Sequence, residues 1–541
     1  MKIHLWAAAS FLLLGILSYF LALPTLAFGY WGIPLILFII SALLVLFLGL
    51  SQVGLAPHLP YIVLASVAFL LLTLVPFLTT APMFRSGAYR ELLGDVQQKE
   101  FSESVAPVDA SRIRLVDQSM AAKLGDKKIG EDPALGSIAE LGTFAIQRYR
   151  GELYWVAPLV HRSFFKWISY REGSQGYVMV SATNPQDVRL VQSIAGENLH
   201  LRYQPQAYFG EDLKRHVYFG GHQRVGLADY SFEIDEDGQP FWVITRFEKA
   251  VGYGGREALG TVVVNAQTGE MQDYSLSETP EWVDRIQPEA FVRDQINDWG
   301  RFGKGWWNAI FAEEGVIQLT EGTSLVHGAD GHSYWYSGLT SSGGDDSTVG
   351  FILVDTRTKE ASYYRQSGAT ERAARRSAEG KVQEKGYVAS FPVMYNVQGR
   401  PTYACALKDK TGLIKLVALV SVENFGVIGI GETPRLAMRA YKSALNQSFD
   451  SGDLEGQAPR EQLQGVVERI GSDVQSGQTY YYLILEGTKR IFVASSRIAE
   501  TLVLTQVGDR VIVQFDDAQA RFADISEFQN LTLGSDGDEI P

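Results

Sequence analysis

The hydrophobic pattern of this chain changes character partway along its length. Residues 5–23, 30–50 and 61–80 are apolar runs with no Lys, Arg, Asp or Glu inside them. Each reaches the ~20 residues that a helix needs to cross the hydrocarbon layer of a bilayer. The connections, 24–29 and 51–60, are short and free of Lys and Arg, so the three runs predict a compact transmembrane bundle at residues 1–83. A cleaved signal peptide is the alternative for the first run, but two further spanning-length runs follow at once. Residues 85–108 then predict a helical stalk and a polar, proline-bearing linker, the segment 84–110.

Past residue 110 the pattern turns to short apolar strands bounded by turn residues, and one arrangement recurs four times. A glycine turn precedes an aromatic-rich strand, and a second apolar strand follows after a gap. The first copy is Arg150-Gly151-Glu152-Leu153-Tyr154-Trp155-Val156 with Gly176-Tyr177-Val178-Met179-Val180-Ser181. The second is Asp237-Gly238-Gln239-Pro240-Phe241-Trp242-Val243 with Gly260-Thr261-Val262-Val263-Val264-Asn265. The third is Asp330-Gly331-His332-Ser333-Tyr334-Trp335-Tyr336 with Gly350-Phe351-Ile352-Leu353-Val354-Asp355. The fourth is Gln398-Gly399-Arg400-Pro401-Thr402-Tyr403 with Leu416-Val417-Ala418-Leu419-Val420-Ser421. Helical runs stand before the copies, at 116–124, 211–218, 288–299 and 369–385. Helix followed by strands fits an α+β unit in which an antiparallel sheet covers a helix. The uneven spacing of the glycines predicts related domains with insertions, not a regular solenoid.

The predicted fold class is therefore α+β: an N-terminal three-helix transmembrane bundle, repeated helix-plus-antiparallel-sheet modules and a C-terminal small β-barrel. The modules are placed at 111–205, 206–285, 286–366 and 367–450. The barrel is placed at 451–530, where short strands at 466–470, 479–485, 490–494, 502–504 and 510–515 resemble an oligonucleotide/oligosaccharide-binding (OB-type) barrel. The Gly- and Asp-rich end, 531–541, is predicted to be disordered.

Charge and cysteine content narrow the function. A net charge of −13 argues against nucleic acid as a partner, because phosphate binding needs a concentrated basic surface. Arg372, Arg375 and Arg376 cluster on one helix, but Glu371 and Glu379 interrupt them, as on a solvated face. The one cysteine, Cys405, excludes an intramolecular disulfide, and its alternating context is that of a buried structural thiol in a strand. Lys2 precedes the first span while Arg85, Arg90 and Lys99 follow the third, a count that favours a cytoplasmic large domain.

The run Asn265-Ala266-Gln267-Thr268-Gly269-Glu270, after a Val-rich strand, resembles the closing strand and turn of PepSY domains. Val354-Asp355-Thr356-Arg357-Thr358-Lys359-Glu360 matches with Lys359 in the glycine place, Ser181-Ala182-Thr183-Asn184 matches loosely, and the fourth copy lacks the turn. The resemblance covers about half of the region after the spans. It implies modules that bind or restrain partners such as peptidases or envelope components, and it implies an extracytoplasmic location, against the charge count. The balance leans outward.

No sequence constellation justifies an enzyme assignment, and no cofactor is expected. The candidate ligand loop is the polar stretch 337–348, with Ser341, Ser342, Gly343, Gly344, Asp345 and Asp346 at its centre. Its backbone amides could cradle an anion, although a phosphate loop's Gly-Lys-Ser/Thr ending is missing; Asp345 and Asp346 could hold Ca²⁺; a plain long hairpin loop is the simpler reading. Asp235-Glu236-Asp237-Gly238 lacks the later Glu of a calcium loop, since Arg246 stands there, and His216 and His222 show no metal-ligand spacing. The aromatic groups Phe164, Phe165, Trp167 and Phe302, Trp306, Trp307, Phe311 are either peptide- or membrane-facing patches or packing between modules. The expected function is a membrane-anchored, non-catalytic scaffold or accessory protein that binds protein or peptide partners. The alternative is a ligand-sensing or transport-complex subunit whose transmembrane bundle is itself functional.

Overall fold

The computed structural model describes residues 13–50, 59–101, 105, 107–320, 322–328, 331–343, 347–448, 461–475, 478–496, 498–515 and 522–533. The chain is a mixture of helix and sheet that ends in a closed five-stranded barrel. It divides into two compact units, Met1–Glu100 with Arg114–Arg372, and Phe101–Ile113 with Ala373–Pro541.

The first unit holds three antiparallel sheets built on one plan, an up-and-down run of four strands. These are Ala145–Tyr149, Glu152–His161, Tyr177–Ser181 and Val188–Val191; then Gly226–Ile234, Pro240–Val251, Gly254–Asn265 and Met271–Ser275; then Ser324–His327, Ser333–Ser341, Gly350–Asp355 and Ala361–Tyr364. Their glycine turns are real hairpin turns. Tyr149 pairs with Glu152 across Arg150 and Gly151, whose φ angles of 50° and 83° give the both-positive geometry that matches strand twist. Gly238 and Gly331 adopt the same left-handed backbone.

A hydrogen-bond clamp recurs at the same place in all three sheets. The amides of Leu115 and Val116 both donate to the Ala182 carbonyl, and the buried Trp155 indole returns a bond to the Val116 carbonyl at 2.8 Å. Arg202 and Tyr203 donate to Ala266, and Trp242 Nε1 donates to Tyr203 O at 2.8 Å. Ile286 and Gln287 donate to Thr356, and Trp335 Nε1 donates to Gln287 O at 2.8 Å. Each tryptophan thus ties the second strand of its sheet to the segment that leads into the preceding helix. Those helices are Gln118–Gly130, Leu213–Phe219 and Glu289–Arg301. Asp117 and Asp212 cap the first two, accepting from Met120 N and Arg215 N.

The closing turns are also alike. Asn265 Oδ1 accepts from the amides of Gln267 and Thr268, and Asp355 Oδ1 accepts from those of Arg357 and Thr358. Gly269 has φ 77°, and Lys359, in the matching place, has φ 67°. The first two sheets share one core, in which Tyr154, Val156, Tyr177 and Met179 meet Leu213, Val217, Phe232, Trp242 and Val262. The buried Gln147 side chain exchanges two 2.9 Å bonds with the backbone of Ile234 across that junction.

The apolar N-terminal segment differs in part from its expected form. Helices Gly32–Leu50 and Leu59–Thr79 carry no charged residue. Among the described residues, however, only Pro60–Thr79 is long and apolar enough to cross a membrane, with mean hydropathy 2.5 and 6 % of the stretch buried. Leu13–Ala22 and Gly32–Ala42 are shorter, so three full-length spans are not reproduced; residues 5–12 and 51–58 lie outside the described residues. Helix Pro82–Glu91 follows, and Val96–Gln98 then joins the third sheet as a parallel strand beside Ala361–Tyr364. The segment expected as a stalk or first docking helix thus holds one helix and one paired strand.

In the second unit, Val393–Val397, Arg400–Lys408, Ile414–Ser421 and Ile428–Gly431 form a fourth run of the same plan, with Gln398 and Gly399 at φ 54° and 79° in its first turn. Helix Pro434–Ser448 lies on the last strand, close enough that a Cβ at Gly429 would meet the Tyr441 backbone at 2.2 Å. The barrel strands follow the order Glu461–Gln475, Gln478–Leu485, Ile491–Ser495, Phe522–Asn530, Arg510–Phe515, closing on the first. Val467, Leu483, Phe492, Val513, Phe515 and Ile525 fill its interior. Arg439 Nε donates to Asp524 Oδ1 at 2.7 Å, tying the helix to the barrel.

Candidate functional site

A candidate surface site lies in the first unit around a buried carboxylate. Helix Phe164–Ser169 starts at Ser163, whose Oγ accepts from Lys166 N, and it turns Trp167 inward and Phe165 outward. Glu211 sits beneath it, 6 % exposed, in the tight turn Phe209–Glu211. Three donors converge on that carboxylate: Trp167 Nε1 at 2.8 Å, Arg202 Nε at 2.8 Å and Arg171 Nη2 at 3.3 Å. The Arg171 guanidinium also lies 4.2 Å from the Trp167 ring centre, a cation–π contact. Both arginines keep their side chains half in water, with Arg202 held above its usual range chiefly by its hydrogen bond to Glu211.

A shallow cavity of about 680 Å³ opens beside this hub, lined by Arg171, Glu172, His200, Arg202, Gln267 and Thr268. Next to it the rings of Phe164, Tyr208 and Phe209 pack on Trp167 at 5.3–5.9 Å in tilted arrangements, and Phe164 meets Tyr208 edge-on at 5.0 Å. Phe165 is 76 % exposed and Phe209 63 %, and Ile168 and Tyr170 add to the patch. Phe209 is held at φ 54°, a left-handed backbone that bulky residues rarely adopt. His161 is buried behind the hub, where loss of solvent lowers its pKa against the pull of Glu211. Exposed aromatic side chains beside arginines are the composition of protein-binding hot spots.

The sequence-predicted loop is placed elsewhere, and its described part begins as strand. Ser341 ends strand Ser333–Ser341 and pairs with Ile317, while Ser342 and Gly343 form the turn. Gly344, Asp345 and Asp346 lie outside the described residues. The flanking hydroxyls are already engaged: Ser337 Oγ donates to Gly322 O at 2.9 Å and Thr340 Oγ1 to Ser347 O at 3.0 Å. Among the described residues no group of three or more His, Cys, Asp or Glu is placed to hold a metal ion. His216 is bonded to the Gly269 carbonyl, His222 to Asp273, and Asp235 accepts from the amides of Asp237 and Gln239 in its own hairpin.

Cys405 pairs with Ala418 in mid-sheet, and burial pushes its thiol up to about 12. The native chain is therefore expected to resist maleimide at pH 8 and to label only when unfolded; fast labelling of the folded chain would mean that strand Arg400–Lys408 opens. The aromatic run at 164–167 was visible in the sequence, but Glu211, Arg171 and Arg202 were not. Arg171 lies in a different segment from Arg202 and Glu211, and no single segment signals their convergence.

No family model matches the chain, and no curated protein matches it. Among solved structures, Bombyx mori GH32 beta-fructofuranosidase BmSUC1 aligns at 9 % identity and TM-score 0.16, covering 69 % of this chain and 64 % of that one. The chain thus spans less than two thirds of that protein's length. Bacillus subtilis levansucrase aligns at 8 % identity and TM-score 0.18, over 83 % of this chain and 96 % of the other. Similarity this low carries no argument about fold or chemistry.

Proposed function

We propose that this chain is a membrane-anchored, non-catalytic scaffold whose PepSY-like modules bind a protein or peptide partner, with the patch around Phe165, Phe209 and Arg171 as the binding surface. The observation that carries this reading is the exposure of large aromatic side chains beside an arginine-lined cleft, fixed from beneath by the Glu211 hub. The recurring Trp clamp and the matched turns at Asn265 and Asp355 support the module reading. The strand order of the closed barrel supports an OB-type end domain, and its closure leaves no free edge to recruit a strand.

The anchor comprises three spans in this reading, with the large domain outside. Support comes from the three ends that meet the second sheet and its helix: Tyr218 OH donates to Pro24 O after the first apolar helix, Trp31 at the start of the second lies 5.1 Å from Tyr253, and Thr80 after the third meets Tyr253 N and Tyr89 OH. Alternating spans bring those three ends to one side. The hydroxyls of Ser41, Thr73 and Thr79 bond to carbonyls of their own helices, which weighs against a polar path through the bundle and so against the transport alternative.

A photo-crosslinking residue at Phe165, in the full chain in intact cells, is expected to give a discrete product that a probe at Asp126 does not. Identical patterns at both positions would sink the binding surface. A compartment reporter fused after Pro541 decides sidedness, with an external signal expected.

A further inference from the structure

We propose that the helical turn at residues 305–312 is a foot that seats the first unit in the interface of the bilayer, with Trp307, Ile310 and Phe311 inserted among the lipid headgroups. This inference rests on the membrane-anchored reading. The turn has two faces. Trp306 and Ala309 point inward, packing with Tyr89, Val251 and Phe302. Trp307 and Phe311 point outward, 62 % and 73 % exposed, with rings stacked 5.6 Å apart at 14°; Ile310 is exposed beside them.

Residues 310 and 311 lie three and four positions after 307, the spacing that brings side chains to one helical face. Glu313, at φ 51°, ends the turn by donating to Asn308 O at 2.7 Å, and Asn308 Nδ2 donates to Glu314 O. The outward face is thus held by backbone capping and is not a frayed end. Lys304 and Glu314 pair at 2.6 Å across its rim, leaving that edge polar and close to neutral.

Its neighbours identify the bilayer as the occupant. Tyr89 belongs to helix Pro82–Glu91, which begins just after the apolar helix Leu59–Thr79, and Met83 and Phe84 on that helix are also exposed. Val251, in the same cluster, leads into the hairpin tip where Tyr253 meets Phe28, Trp31 and Phe77. Phe28, Trp31 and Phe77 lie at or beside the ends of the apolar helices, with Tyr253 packed on them, where Trp and Tyr gather at a membrane–water boundary. The foot is therefore continuous with the aromatic belt of the anchor. The Lys304–Glu314 pair and the exposed Glu313 leave this rim without an excess of positive charge, so it needs no anionic lipid and fits a zwitterionic surface.

The test uses the full chain reconstituted in phosphatidylcholine vesicles, exploiting the inert Cys405. Phe311→Cys and, as a control on a distant exposed helix, Asp126→Cys are each labelled with an environment-sensitive fluorophore. Quenching is measured with lipids carrying a nitroxide near the headgroup and with aqueous iodide. The 311 label is expected to be blue-shifted and quenched several-fold more by the nitroxide lipid than the 126 label, equally with and without added phosphatidylglycerol. A 311 label quenched by iodide like the 126 label overturns the foot, and so does one shielded from both quenchers, which would place protein over it. Flotation after alkaline wash separates the two readings: a chain that floats with a water-exposed 311 label keeps its anchor and loses the foot, whereas a chain that does not float loses both.

Discussion

Replacing Trp335 with alanine is expected to destabilise the third sheet by about 3–5 kcal/mol, the usual cost of removing a buried indole. Trp155→Ala and Trp242→Ala should do the same in their own sheets. Two losses combine: the volume of a ring packed between strand and helix lead-in, and the bond to a carbonyl at 2.8 Å. Trp→Phe separates them. It keeps most of the apolar contact but leaves the Gln287, Val116 or Tyr203 carbonyl without its donor, at a cost of about 1–3 kcal/mol. Because the chain has several cooperative parts, a single unfolding free energy is not well defined. Hydrogen exchange resolved by segment is the suitable measurement, with loss of protection confined to strands 333–341 and 350–355 for Trp335. Unchanged exchange in all three Trp→Phe variants would show that the clamp contributes no stability.

The second large effect concerns Glu233. This side chain is fully buried on strand Gly226–Ile234, and neither carboxylate oxygen has a hydrogen-bond partner. Arg285 lies 3.8 Å away and donates instead to Ser231 Oγ at 2.6 Å. Burial is the main cause that pushes the Glu233 carboxyl up to about 7; Arg285 pulls it down, while Asp284 and Asp229 push it further up. The neighbouring Asp284 accepts from Arg148 N, and buried His327, flanked by Arg114, Arg148 and Arg285, is lowered to about 3 and stays neutral.

A folded-state pKa above the unfolded value of 4.5 fixes the sign. The group's contribution to stability is fully present below about pH 4.5 and is lost as pH rises through 7. A shift of that size corresponds to about 3 kcal/mol. Glu233→Gln should therefore match the parent near pH 5 and exceed it at pH 8.5, with a thermal midpoint several degrees higher. Parallel midpoint curves across that range would rule out a buried, titrating carboxyl.

Gly151, Gly238, Gly331 and Gly399 announced their turns because a left-handed backbone closes those hairpins, and glycine adopts it without strain. The turn at 265–270 was legible for a related reason, since the Asn side chain makes the turn's own hydrogen bonds. The clamp was not legible: its donors at 115–116, 202–203 and 286–287 are backbone amides that leave no mark on composition. The stretch at 337–341 read as part of a loop because it is polar and runs into the glycines and aspartates at 343–346, yet pairing with 350–352 and 317–319 makes it strand. The Glu211 hub joins the stretch at 167–171 to residues 202 and 211, and the second unit draws 101–113 from well upstream of its main part. Contacts of that range are set by topology, which local pattern does not encode.

The parallel strand Val96–Gln98 also has a mechanical meaning. Where helix Leu59–Thr79 is held in a bilayer, tension between the anchor and the third sheet runs along this strand and strains its ladder to Ala361–Tyr364 lengthwise. Bonds pulled in shear yield together, whereas bonds peeled from one end yield singly. Lys99 N adds one more bond, to Tyr363 O, at the far end of the ladder. The same short segment that tethers the domain therefore also sets the load at which its outermost strand lets go.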